Sequence, residues 1–183
     1  MERHFDEELK ELQENILKLG SLAIEAISGS VKALQNNDKK LAQQIINADN
    51  RIDELELIID EKCIDLLALY QPMAADLRFI TTGLKLNAEI ERIGDLAVDV
   101  AQRVIELADK PMLKPLLDIP QLSDVAQKMV REAIDSFIKR DITLAAKVIK
   151  TDNQADELKN RISTELINDY MSKDPSTATR AVS

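Results

Sequence analysis

Three carboxylates set four residues apart, Glu91, Asp95 and Asp99, form a row E-x-x-x-D-x-x-x-D inside the stretch 71–99, QPMAADLRFITTGLKLNAEIERIGDLAVD. A helical residue advances about 100°, so each four-residue step moves the row only about 40° round the helix and the acids make a ladder. Ile80, Leu84, Asn87, Glu91, Gly94 and Val98 alternate steps of four and three, the seam of a helix packed in a bundle, and Glu91 stands in that seam. A carboxylate there is costly unless it is paired, protonated or bound to a metal. Arg92 points elsewhere on the helix and Arg78 is about three turns away, so no basic partner on the same helix neutralises it. Like charges at this spacing repel by about 0.2–0.5 kcal/mol per pair. The ladder is therefore a candidate cation site, whereas for Asp99, furthest round, an ordinary solvated face is the better explanation of the charge.

A second row lies beside the seam of the preceding helix. That seam runs Leu41, Ile45, Ala48, Ile52, Leu55 and Ile59, then Leu66 and Leu69, and the acids Asp49, Asp53, Glu56 and Asp60 each follow a seam residue between Ala48 and Ile59 by a single position. They line its edge for roughly three turns. Glu91 and Asp95 are expected to project toward this row, so that carboxylates of two helices converge.

The chain repeats itself. A shift of 103 positions (141 minus 38) lays DKKLAQQIINADNRIDEL over DITLAAKVIKTDNQADEL without a gap, and Asp49 and Asp53 recur as Asp152 and Asp156. Identical residues continue as far as Pro72 with Pro175 and Ala75 with Ala178. Such a repeat predicts one helical unit folded twice, burying its apolar face in the same way each time.

Composition agrees. In 183 residues there are four glycines, five prolines, no tryptophan and 3% aromatics, against 45% hydrophobic and 31% charged residues, the profile of helices rather than sheets. The fold class expected is all-α, a duplicated three-helix bundle whose second repeat is incomplete. The first repeat covers 1–110, a linker with prolines at 111, 115 and 120 covers 111–120, and two helices with the start of a third fill 121–183. The first helix carries Phe5, Leu9, Leu12, Ile16, Leu19, Ala23 and Ala26 at four-three spacing, flanked by the small residues Gly20, Ser21, Ser28, Gly29 and Ser30; Asn37 or Asp38 caps the next. By the repeat offset Ser183 corresponds to Ile80, so about 30 residues of a last helix are expected to be missing, by truncation or by shortening of the repeat. The apolar faces at Leu122, Met129, Leu144 and Leu158 must then be covered by the first bundle, by a further segment or by a second copy, and a homo-oligomer is expected.

Several functions are excluded. A net charge of −9 with few aromatics argues against direct nucleic-acid binding and for cations or basic partner surfaces. His4 is the only histidine, which rules out imidazole triads and multi-histidine zinc sites within the chain, and the single Cys63, in an apolar stretch, reads as a buried structural thiol. The N-terminus lacks a secretory signal and no run of about 18 uncharged apolar residues is present, so a soluble cytoplasmic protein is expected.

HFDEELKEL at the start, QPMAADLRFI at the turn, ERIGDLAVDVAQR in the third helix and DPSTATRAVS near the end together resemble the PhoU family, regulators associated with bacterial phosphate uptake; ERIGD following QPMAADLR is the specific part. The resemblance implies two three-helix bundles whose E/D-x-x-x-D motifs hold metal clusters, and a non-enzymatic role restraining phosphate uptake and two-component signalling. It also implies as partners a sensor histidine kinase and the ATPase of a phosphate ABC importer, with the membrane reached only through them. Carried over, the metal motif falls on Glu91 with Asp95, Asp49 with Asp53, and Asp152 with Asp156; Asp99 extends the first of these. Family members carry a second E-R-I-x-D in a sixth helix that this sequence lacks, leaving a site that needs it incomplete. Oxygen ligands suit iron, manganese, magnesium or zinc without selecting one. Two other readings compete: a carboxylate-bridged di-metal enzyme, for which the Glu-x-x-His ligands are missing, and a helical scaffold that binds no metal.

Overall fold

The computed structural model describes residues 2–110, 116–174 and 177, and every regular element among them is helical. The order is α1 (Glu2–Asn36), α2 (Lys39–Ala48), α3 (Asn50–Tyr70), α4 (Ala74–Leu107), α5 (Asp118–Lys139) and α6 (Ile142–Glu165), the last running into a π-helical turn, Leu166–Met171. Prolines 111 and 115, Pro175 and Ala178 of the expected repeat, and most of the DPSTATRAVS segment lie outside the described residues.

One core joins α1, α3 and α4. The α1 seam is buried from Leu12 through Ile16, Leu19 and Ala23 to Ala26, and it meets Ile52, Leu55, Ile59 and Leu66 of α3 and Phe79, Ile80 and Ile90 of α4. A smaller cluster, Ala33, Ala42, Ala101 and Val104, ties α1 and α2 to the far end of α4. What the sequence shows as one second helix is broken only at Asp49, which keeps helical angles while the Ile52 amide donates to its carbonyl at 2.7 Å, a tightened turn between α2 and α3. The continuation of the seam is corrected at one point. Leu69, expected inside, is 74% exposed, because beyond Ile59 the buried side follows Cys63 and Leu66.

The repeat is visible in the backbone. Asn37 and Arg140 both adopt left-handed angles (φ 52° and 54°), and Asp38 and Asp141 after them are extended. Each aspartate accepts a hydrogen bond from the amide three residues on, Leu41 or Leu144, at 2.9 Å. Each also donates its own amide to a carbonyl of the preceding helix, Ala33 or Ser136, at 2.8 Å. Asp38, not Asn37, is thus the cap. The linker ends earlier than expected, because α5 already begins at Asp118 and Pro120 falls in its first turn, where no amide partner is lost.

The small residues of α1 admit neighbours. A Cβ on Gly20 would run into Cδ1 of Ile134 on α5, and one on Gly29 would run into Cδ1 of Ile45 on α2. The second hairpin therefore sits on the first bundle, and α5 buries Ile134 there. Phe137 stacks on Phe79 of α4 with ring centroids 4.4 Å apart, and Arg140 lies over Phe79 while donating to Asp76. α6 closes on the outside of α5 through Lys147–Glu132 and Arg161–Asp118 ion pairs.

Asp38→Ala and Asp141→Ala should each lower stability by about 1 kcal/mol in urea unfolding. The caps share no partner, so the double variant should lose the sum to within about 0.5 kcal/mol. Gly20→Val should be worse, by about 1–3 kcal/mol, since the new branch displaces Ile134 and lifts α5 from α1.

Candidate functional site

Helices α3 and α4 approach closely where α4 has no side chain. A Cβ on Gly94 would stand 2.8 Å from Cδ1 and 3.3 Å from Cγ2 of Ile52, and 3.6 Å from Oδ1 of Asp49. Glu91 and Asp95 flank Gly94 on α4, so this contact sets them against the head of α3, where Asp49 and Asp53 stand one turn apart.

The electrostatics register the meeting of the two rows. Burial pushes the Glu91 carboxyl above the usual range, and Asp95, Glu56, Asp53 and Asp49 push it further. Asp49 is raised by burial and then by Asp53 and Asp95. Glu56 is raised by burial, then by Asp60 and Asp53. No basic group enters any of these sets. The Oδ1 of Asp49 is buried without a hydrogen-bond partner.

Glu91 lies at the edge of the seam, half-buried; the fully buried polar residue of the seam is Asn87, one turn earlier. Its Nδ2 donates to the backbone carbonyl of Glu56 at 2.9 Å and to Oε1 of Glu56 at 3.4 Å, while its Oδ1 has no partner. Asn87 therefore bolts α4 to α3 and holds Glu56 beside the carboxylates. Neither residue is among those the motif singles out, although Glu56 belongs to the α3 acid row and Asn87 precedes Glu91 by one turn.

The other expected residues stand apart. Asp99 is exposed on α4 and its charge acts on Arg103, not on Glu91 or Asp49. Asp152 and Asp156 are exposed on α6, with Asp156 3.9 Å from Lys159. The structure thus brings together Glu91, Asp95, Asp49 and Asp53, and adds Glu56. Among the described residues no three His, Cys, Asp or Glu side chains are near enough to share one ion as they stand. The group fits a hard cation in its oxygen donors, its unneutralised charge and the orphaned Asp49 oxygen, and the exposed side chains of Asp53 and Asp95 have room to change rotamer toward one.

The PhoU domain family matches this chain over residues 16–104 and 119–183, two stretches that begin one repeat offset apart. A protein of Aquifex aeolicus named phosphate-specific transport system accessory protein PhoU homolog is 41% identical over 175 residues, covering 96% of this chain and 79% of its own length. A Clostridium acetobutylicum protein of the same name is 35% identical, covering 94% of this chain and 78% of its own length. The crystal structure of PhoU from Pseudomonas aeruginosa superposes with a TM-score of 0.91 at 35% identity, over 97% of this chain and 85% of that one. The phosphate transport system regulatory protein PhoU from Streptococcus pneumoniae gives 0.84 at 30% identity, over 93% of this chain and 79% of that one.

A carboxyl whose folded value is raised binds its proton more tightly folded than unfolded, so its contribution to stability falls as pH rises from the unfolded value through the folded one. Glu91 is such a group. In chelator-treated protein Glu91→Gln should therefore raise stability near neutral pH, by about 0.5 kcal/mol if one or two like-charge pairs are relieved. The gain should shrink at acidic pH as the wild-type carboxyl takes up its proton. Urea unfolding of both proteins at the two pH values checks this; a loss of stability at neutral pH would mean that Glu91 has a cationic partner.

Proposed function

This chain belongs to the PhoU family, and from that premise we propose that it restrains phosphate uptake and phosphate-responsive two-component signalling without catalysing a reaction of its own. Its partners in this reading are the ATPase of a phosphate importer and a sensor histidine kinase, met in the cytoplasm. The observation that carries the reading is likeness, over nearly the whole chain, to proteins named as accessory to the phosphate-specific transport system, with a solved relative described as a regulatory protein of that system. No helix among the described residues is long and apolar enough to cross a membrane.

The facing carboxylates belong to the proposal. Asp49, Asp53, Glu56, Glu91 and Asp95 would hold iron, manganese, magnesium or zinc, and the bound ion would supply the positive charge that the two rows lack. Asn87 keeps Glu56 in place for it. A regulatory reading is favoured over a di-metal enzyme because the one histidine, His4, stands in the first turns of α1 beside Glu7, Glu8 and Tyr70, away from the Glu-x-x-His position that such enzymes use.

Two measurements test the proposal. In cells grown with ample phosphate, loss of the chain should raise expression of a phosphate-responsive reporter and phosphate uptake, and restoring it should reverse both; an unchanged reporter and unchanged uptake would sink the regulatory reading. Protein purified without chelator should contain metal by elemental analysis, with most of it lost in Glu91→Gln and most retained in Asp99→Asn. Equal retention in both would remove the cation from between α3 and α4.

A further inference from the structure

Helix α3 is apolar on two sides. Ile52, Leu55, Ile59, Cys63 and Leu66 face the core. On the opposite side Leu57, Ile64 and Ala68 lie one above another at steps of seven and four, while Ile58 and Leu69 stand about 100–120° further round, beyond Glu54, Glu61 and Asp65. Leu57 is 66% exposed, Ile58 52%, Ile64 55% and Leu69 74%. Exposed large apolar side chains that cluster mark a contact surface, unlike ones scattered singly.

The second repeat serves as an internal control. One offset on, the counterparts of Leu57, Ile58 and Leu69 are Asn160, Arg161 and Ser172, whereas Ile64 and Ala68 keep apolar counterparts, Ile167 and Met171. On α6 itself the counterparts of Leu57 and Ile58 are the polar Asn160 and Arg161, the latter paired with Asp118 of α5, so the architecture does not require apolar residues there; beyond Glu165 the π-helical turn changes the register. The charges differ as well. Glu54, Glu61 and Asp65 are exposed among the apolar residues, whereas the counterparts of Glu61 and Asp65 are the neutral Thr164 and Asn168. Lys62 does not offset them, because it is drawn to Glu8 and Glu11 of α1.

We propose that this outer face of α3 is a docking surface for an amphipathic helix of another protein, apolar along one stripe and lined with lysine or arginine on the side that meets Glu54, Glu61 and Asp65. The stripe from Leu57 to Ala68 is about 17 Å long, matching about three turns of a partner helix. Acids among and beside the apolar residues select a basic partner and speed its approach, in a salt-dependent way. A second copy of the chain is disfavoured, since it would bring Glu54, Glu61 and Asp65 against the same acids. The proposal goes beyond the cation and phosphate reading and does not depend on it, as the carboxylates it uses face away from α4.

The test uses the full chain and a fluorescent synthetic amphipathic helix of about 18 residues, leucine along one stripe and lysine elsewhere, with a sister peptide carrying glutamate in place of lysine. Anisotropy should report binding of the lysine peptide, weakened at least about tenfold between about 0.05 and 0.5 M salt, and none of the glutamate peptide. Leu57→Ser with Ile64→Ser should weaken binding at least about tenfold without altering thermal unfolding, both residues being exposed, and Ile142→Ser with Ile149→Ser on α6 should leave it unchanged. Binding indifferent to the α3 pair would reduce the effect to general charge attraction and overturn the proposal. So would equal binding of the two peptides. A concentration-dependent dimer in light scattering that the α3 pair dissolves would assign the face to a second copy instead. Repeating the series with chelator separates the outcomes, because loss of the cation should abolish metal content and leave peptide binding intact.

Discussion

Two rows of like charge are held face to face by an apolar core that has no regard for them. Leu12, Ile16, Leu19, Ile59, Ile80 and Ile90 are all essentially withdrawn from water where α1, α3 and α4 meet. Each such side chain contributes about 1.5–3 kcal/mol, whereas a repulsive carboxylate pair costs a few tenths. The core therefore dictates the helix geometry and the acids must accept it. Gly94 sharpens the constraint, for any larger residue would push α4 from Ile52 and relax the crowding. The site is a strained charge arrangement clamped by packing, and the strain is what a cation would relieve.

Much of this was legible in the sequence because helices advertise themselves through period. The α1 seam is buried where four-three spacing places it, and of the two cap candidates, Asn37 and Asp38, the structure selects the aspartate and repeats the choice at Asp141. The facing of Glu91 and Asp95 toward Asp49 and Asp53 follows from the same periodicity. What period does not resolve is a helix with two apolar sides. On α3 Leu66 and Leu69 both fit a seam, but only Leu66 is inside. Nor does it fix depth: Asn87 and Glu91 occupy successive seam positions, yet the amide is fully buried with a hydrogen bond to the neighbouring helix and the carboxylate stays at the rim. A neutral amide is far cheaper to desolvate than a charged carboxylate, so the shorter, uncharged side chain takes the deeper place.

The two repeats share their turn and caps and differ in their surroundings. The first forms a closed core, while the second leans on it through Ile134 in the notch at Gly20 and through the stack of Phe137 on Phe79. Arg140, forced into left-handed angles by the turn, uses that position to lie over Phe79 and reach Asp76. A local necessity of the hairpin thus becomes the joint between the halves.

Cys63 adds a consequence of a different kind. It is wholly buried between α3 and α4, with its sulfur about a contact distance from where a Cβ on Gly83 would sit, and burial pushes its thiol up to about 12. The thiolate is scarcely populated in the closed bundle, so alkylation must wait for the two helices to part. The chain accordingly carries its own clock for the breathing of the helix pair that bears the carboxylates. Any ion bridging those helices would slow that clock, and the labelling rate would read out its occupancy without a spectroscopic signal from the metal.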